Sequence, residues 1–266
     1  MQITQRRIDM KFGVCVGTDL EKMKYIKAIG YDYAESHCQE IAKKDKAYLD
    51  EMKKTGLPVI AANCFIGLRV VGEEKNYAEI DAYLEKLFEN AAYLGLEYLV
   101  FGSSGARRIP EGMSLEEGRG EIIDFLKNHV VPLAEKYELP VAIEPLRPEE
   151  CNAINTIDDG VEIAEKVGSP FIKVLADVAH MYVQNEDMSM LPEYKGMIIH
   201  AHTSNPAPAA ELNRKRIFPT ENDSFSQADF IASLKAAGVK TCSIEAEVLD
   251  FEEDAKRSYK VLEGLR

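Results

Sequence analysis

Val141-Ala142-Ile143-Glu144-Pro145-Leu146-Arg147-Pro148-Glu149-Glu150 is a short apolar run that stops on a carboxylate and turns through two prolines into more acid. An acid set where a buried run meets a loop is poorly solvated, so it needs a proton, a cationic side chain or a metal ion beside it. The same construction recurs downstream. Ile172–Asp177 ends on an acid, Met197–His202 on a histidine and Thr241–Glu245 on another acid. Helix-like segments separate these runs, and each run ends on a side chain able to ligate a metal.

Outward from this stretch the chain alternates between strand-like and helix-like pieces. Lys11–Val16 reads as a strand, and Thr18 and Glu21 have capping-box spacing for a helix through Ile29. A short run at Tyr33–Glu35, a charged helix near Asp45–Thr55 and a strand at Pro58–Asn63 follow. Ile80, Leu84, Leu87, Phe88, Ala91 and Leu94 form one apolar stripe of a helix that Gly95 closes. Tyr98–Gly102 is the fourth strand, and Ser114 with Glu117 forms a second capping box for a helix toward Tyr137. After the opening stretch come a helix at Thr156–Val167, strand Ile172–Asp177, a short helix at Met188–Tyr194 and strand Met197–Thr203. Helix Gln227–Ala237, strand Thr241–Ala246 and helix Asp250–Leu265 complete the chain. Short buried strands alternating with helices require a parallel sheet. Eight such units in this length fit a closed (β/α)8 barrel better than an open doubly wound sheet.

Composition agrees. A chain of 266 residues, 46% hydrophobic, has the size of a one-domain barrel of roughly 250 residues, so residues 1–266 are expected to form one domain, with 1–9 a frayed extension. The net charge of −13 repels a phosphate backbone and argues against nucleic acid. Five widely spaced cysteines without a CxxC pair read as reduced thiols of a cytoplasmic protein. No run approaches the ~18 apolar residues of a membrane span, and the N-terminus has no signal-peptide apolar region. A homo-oligomer is left open.

Side chains alternate faces along a strand, so Glu144 shares a face with Ala142, Asp177 with Leu175, His202 with His200 and Glu245 with Ser243. At the C-terminal ends of barrel strands such residues point over the mouth, where barrel active sites are built. Three carboxylates and an imidazole crowded there would raise one another's pKa unless a divalent ion let all stay ionised. This donor set suits Mn²⁺ first, with Mg²⁺, Co²⁺ and Zn²⁺ as alternatives. His200, deeper on the same face, reads as a packed or supporting residue. Each donor taken alone also has a plain structural reading, as a helix cap, a surface acid or a core histidine. Their occurrence at equivalent positions on successive strands favours the metal.

Glu144-Pro-Leu-x-x-x-Glu150, Asn155-Thr156, Leu175-Ala-Asp177-x-x-His180-Met181, His200-x-His202 and Ser243-Ile-Glu245 resemble the xylose isomerase-like TIM-barrel superfamily. Within it they are most similar to the sugar phosphate isomerase/epimerase group, which includes the ketose 3-epimerases. The likeness is strong from about Tyr98 to Glu247 and only architectural before that. It implies that Glu144, Asp177, His202 and Glu245 bind the metal and that Glu150 and His180 hold substrate hydroxyls. Where that group has Asn-Arg and then Pro soon after the strand-seven histidine, this chain has a longer loop. Arg214 keeps the Asn-Arg pair and Arg216 the Arg-x-x-Pro spacing; Arg216 is taken as the substrate-binding one.

The chemistry implied is proton transfer beside the carbonyl of a sugar, sugar phosphate or cyclitol, through a metal-stabilised enediolate. Glu144 on strand five and Glu245 on strand eight, flanking the substrate, are the expected acid/base pair. Arg107 and Arg108, after the small-residue loop Gly102–Gly105, are candidates for a phosphate, or else plain surface arginines. Cys64, Phe65 and Glu35 are expected at the mouth without an assigned role. A lyase related to inosose dehydratase could use the same site, and a binding protein without catalysis is a further alternative. Endonuclease IV-type repair enzymes need more histidines than this acidic chain offers.

Overall fold

The computed structural model describes residues 9–206, 216–248 and 250–266. Residues 1–8, most of the expected N-terminal extension, and Arg214 lie outside the described residues. The eight strands are β1 (Lys11–Cys15), β2 (Tyr33–His37), β3 (Val59–Asn63), β4 (Tyr98–Phe101), β5 (Val141–Ile143), β6 (Ile172–Asp177), β7 (Ile198–Thr203) and β8 (Thr241–Ile244). Each pairs in parallel with the next, and β8 returns to β1, giving a closed barrel with helices between the strands. The fold is a single (β/α)8 TIM barrel, as the alternation predicts.

The helices form where their local chemistry dictates. Tyr77–Leu94 buries Ile80, Leu84, Leu87, Phe88 and Ala91, starts on an Asn76 cap and ends on left-handed Gly95, so the predicted stripe faces the barrel. Ser114 and Glu117 cap each other reciprocally, as expected. The first helix departs from expectation: Asp19, not Thr18, is the cap, with its carboxylate accepting from Glu21 and Lys22 N–H. Thr18 instead donates its hydroxyl to Glu40 at 2.8 Å. The helix expected to run unbroken toward Tyr137 is divided into Leu115–Phe125, a π-helical turn Leu126–Val130 and Val131–Tyr137. Pro132 lacks the N–H that a regular helix needs there, and the wide turn absorbs the mismatch.

The lumen is closed by side chains in layers. Tyr33, Ile60, Ala61 and Tyr98 form one cluster, and Val100, Ala142 and Leu175 another. Ala142 and Leu175 lie two residues before Glu144 and Asp177, so the face that fills the barrel delivers the acids to its C-terminal mouth. The five cysteines are free; Cys38, Cys151 and Cys242 are buried, while Cys15 and Cys64 are partly exposed. Among the described residues no helix is long and apolar enough to cross a membrane.

Candidate metal centre

Register brings the predicted donors together. Asp177 on β6 pairs with His202 on β7, and His202 with Ser243 on β8, two residues before Glu245. Glu144 and Glu245 extend the sheet past its strands: Glu144 N–H donates to Phe101 O at 3.2 Å and Glu245 N–H to Thr203 O at 3.1 Å. One donor atom from each of Glu144, Asp177, His202 and Glu245 lies within 4.8 Å of the others.

The centre of this cluster is His202 Nδ1. It lies 3.0 Å from Glu144 Oε1, 3.1 Å from Glu245 Oε2 and 3.7 Å from Asp177 Oδ2. Asp177 has both its plain and its functional role at once. Its Oδ1 caps the next helix, accepting from Ala179 N–H at 2.6 Å and His180 N–H at 3.2 Å. That leaves Oδ2 for the mouth. Glu245 is aimed by a residue that the sequence reading did not single out: Asn63, at the end of β3, donates from Nδ2 to Glu245 Oε1 at 2.7 Å. Gly102 makes room for Glu144, since a Cβ there would lie 2.2 Å from Glu144 Oε2.

Arg216 returns to the barrel on a short bridge, Ile217 and Asn205 exchanging backbone hydrogen bonds of 2.8 and 3.1 Å. Its guanidinium reaches Asp177 Oδ2 and Glu245 Oε2, both at 2.6 Å. Arg216 therefore lies on two of the predicted ligand carboxylates as well as on the cavity where substrate binding was expected. Burial disfavours charge on Asp177, but Arg216, His180 and His202 outweigh it and hold the acid far below the ordinary carboxylate range. Glu144 moves the other way, pushed up by burial and by Glu245 despite His202. Glu245 is lowered, because Arg216 and His202 overcome its burial.

The donor set fits a divalent cation. A single ring N–H can satisfy only one of the three oxygens around Nδ1, whereas a cation satisfies all of them. Glu245 Oε2 is buried and accepts no well-directed hydrogen bond even beside Arg216. Four carboxylates, those of Glu35, Glu144, Asp177 and Glu245, face one guanidinium and the two imidazoles of His200 and His202, leaving a deficit of positive charge that a divalent ion would offset.

A cavity of about 270 Å³ opens beside the cluster, lined by Glu144, Glu245, Arg216, Glu150 and His180 together with Gln39, Cys64 and Ile66. His180 Nδ1 accepts from Arg147 N–H at 3.3 Å, which places the ring proton on Nε2. That Nε2 is buried without a hydrogen-bond partner. Glu150 meets Arg147 Nη2 at 2.8 Å. Burial, reinforced by Glu245 and Glu144, pushes the Cys64 thiol up to about 12, so it is a neutral wall.

The arginines of the β4 turn do not behave as a phosphate site. Arg107 is fully buried; its guanidinium donates to Phe101 O at 2.8 Å and to Glu144 O. Arg108 donates to Glu149 O and Glu150 O at 3.2 and 2.6 Å. Glu35 is also deeper than expected. It is fully buried between His200 and His202, a placement that alternation along β2 allowed but no motif signalled.

A closed parallel barrel with acids and an imidazole converging at its C-terminal mouth defines a TIM-barrel scaffold whose donor set fits a divalent ion. Residues 23–265 match the family described as xylose isomerase-like TIM barrel, and the chain belongs to it. It is 24% identical over 197 residues to the 3-dehydro-D-guloside 4-epimerase of Escherichia coli (strain K12), spanning 70% of this chain and 74% of that one. Its fold matches 3-keto-D-glucoside 4-epimerase from E. coli with a TM-score of 0.80 at 19% identity, covering 96% of this chain and 100% of that one. It also matches D-psicose 3-epimerase, crystallised in the presence of D-fructose, with a TM-score of 0.76 at 16% identity, covering 96% and 99%. The IOLI protein with a bound zinc atom matches at 0.74 and 20% identity, covering 96% and 98%.

Proposed function

We propose that this chain is a metal-dependent epimerase or isomerase of a small sugar, working by proton transfer beside a carbonyl. The observation that carries this reading is the convergence of Glu144, Asp177, His202 and Glu245 within 4.8 Å, at the edge of a cavity that His180 lines, its Nε2 buried without a hydrogen-bond partner. These four residues would hold the ion, with Mn²⁺ the first choice and Mg²⁺, Co²⁺ or Zn²⁺ as alternatives. When bound, the ion polarises the substrate carbonyl and offsets the negative charge that develops as the neighbouring proton leaves.

The protein groups do the rest. Glu144 and Glu245 come from β5 and β8, on different sides of the mouth, so one can take the proton from one face of the carbon and the other return a proton to the opposite face. The substrate passes through an enediolate, and its configuration inverts at that carbon. His180 Nε2–H donates to a substrate oxygen, Glu150 accepts from a hydroxyl, and Arg216 lies beside both the acids and the substrate. A cavity of about 270 Å³ is slightly below the roughly 300–1,000 Å³ of drug-sized ligand pockets, which suits a single sugar ring or open chain. The 4-epimerase and 3-epimerase activities named for the similar proteins act at carbons of keto sugars, which agrees with this chemistry.

Incubating Mn²⁺-loaded protein in D₂O with ketoses, ketose phosphates, 3-keto-glucosides and inososes tests the proposal. One deuterium entering at a single carbon, with mass otherwise conserved, is the expected result. Loss of water from an inosose would replace this reading with the lyase one, and no exchange in any substrate would overturn both.

A further inference from the structure

We propose that Glu35 is the positioning residue of the metal centre, fixing His202 so that Nδ1 is free of a proton and aimed at the ion; this rests on the metal-site reading above. Glu35 sits in the middle of β2, paired with Cys15 and Ala61, and its side chain lies wholly inside the barrel beneath the mouth. Its Oε1 is 3.0 Å from His202 Nε2 and its Oε2 is 2.9 Å from His200 Nε2. An ionised carboxylate only accepts, so each of these ring nitrogens carries a hydrogen. For neutral His202 this leaves the lone pair on Nδ1, the atom that faces Glu144, Asp177 and Glu245.

His200 anchors the arrangement from below. Its Nδ1 lies 2.9 Å from Thr241 Oγ1, which is also hydrogen-bonded to the Tyr98 hydroxyl, and Ser243 Oγ lies 3.3 Å from its Nε2 and 3.0 Å from the Tyr33 hydroxyl. The carboxylate is therefore held at both oxygens, and the His202 ring inherits its orientation from residues of β2, β4, β7 and β8. Burying a charged group this deeply is costly, and a glutamine would fill the same space without the charge. The amide cannot do the same work. It has one accepting oxygen and one donating nitrogen, so it meets one imidazole N–H and opposes the other, which pushes a ring toward the tautomer protonated on Nδ1. A metal ligand whose other nitrogen loses its carboxylate partner typically loses about 10- to 100-fold in metal affinity.

The test compares wild type, E35Q and E35D, each stripped with chelator and titrated with Mn²⁺, and follows the imidazole N–H resonances of the Zn²⁺-loaded proteins. Melting of each metal-free protein is measured in parallel. The expected result is a Kd for Mn²⁺ raised about 10- to 100-fold in E35Q, with loss or upfield movement of the His202 Nε2–H resonance. E35D, still an accept-only anion, should retain that resonance and lie between the two in affinity. A lower melting temperature in E35Q with Kd and resonance unchanged would mean a merely structural role and overturn the inference. If E35Q does not fold, E35D decides alone: an affinity within about twofold of wild type, with the resonance displaced, overturns it. Wild-type protein that binds no Mn²⁺ defeats the metal-site reading and this inference together. Equal binding by wild type and E35Q defeats this inference only.

Discussion

Replacing Gly102 with alanine probes the site through one methyl group. The new Cβ would lie 2.2 Å from Glu144 Oε2 and 3.3 Å from Glu144 Cδ, while ordinary contact begins near 3.4 Å. Glu144 must therefore retreat by about 1 Å, breaking the 3.0 Å approach of its Oε1 to His202 Nδ1. A misplacement of that size in a reacting group costs about 10²-fold in rate, or about 2.7 kcal/mol of barrier. The remaining neighbour of the added methyl, Leu146 Cδ2, is 3.8 Å away and is not crowded, so the fold should lose little. Initial rates on the substrate found by deuterium exchange, together with a Mn²⁺ titration and a thermal melt, measure all three quantities. A Gly102→Ala protein with wild-type kcat and metal affinity would refute the claim that Glu144 must stand where the structure puts it.

Glu144→Gln and Glu245→Gln should each lower turnover by about 10²- to 10⁴-fold while circular dichroism shows an intact barrel; full activity in Glu245→Gln removes the acid/base pair from the mechanism. Chelator should abolish activity, and Mn²⁺ restored at about 100 times its Kd should stabilise the fold by about 2.7 kcal/mol, read as a rise in melting temperature that a protein without the site would not show. His180→Ala removes a partnerless buried donor from the wall of the cavity and should cost roughly 10- to 100-fold in kcat/KM, measured by steady-state kinetics. For the metal-free protein, Asp177 is an acid whose folded pKa is depressed, so its contribution to stability is complete above its unfolded value near 3.9 and is lost as pH falls below it. Melting temperatures should accordingly drop on acidification from about pH 5 toward pH 2.5, less steeply in Asp177→Asn, and parallel curves for the two proteins would contradict the shift.

Strand periodicity and the residue ending each run were enough to locate the barrel and the converging side chains, because both depend on alternation within one strand and on parallel register between strands. For a related reason the sequence marks neither Asn63 nor a role for Glu35, which it places only at the mouth. Asn63 acts on Glu245 across 182 positions of sequence, and Glu35 on His200 across 165; nothing local to either residue marks its partner. Arg107 is a phosphate candidate in the sequence, or else a surface arginine, because a guanidinium and a small-residue turn both suit that anion. Here Phe101 and Glu144 offer it backbone carbonyls at the ends of β4 and β5, and it turns inward to them. The first helix cap was misplaced by a single residue, since Asp19 and Thr18 compete for the same amide groups and only three-dimensional packing supplies Glu40 as another acceptor for Thr18.

Arg107 also limits how this scaffold could be re-engineered. By gripping the carbonyl of Glu144 from the neighbouring turn, it moors two adjacent rim segments to each other, so a library that randomised this arginine would deform the backbone that carries an acid. Diversity aimed at new substrates belongs at Gln39, Cys64 and Ile66, which border the cavity and hold none of the four converging donors in place.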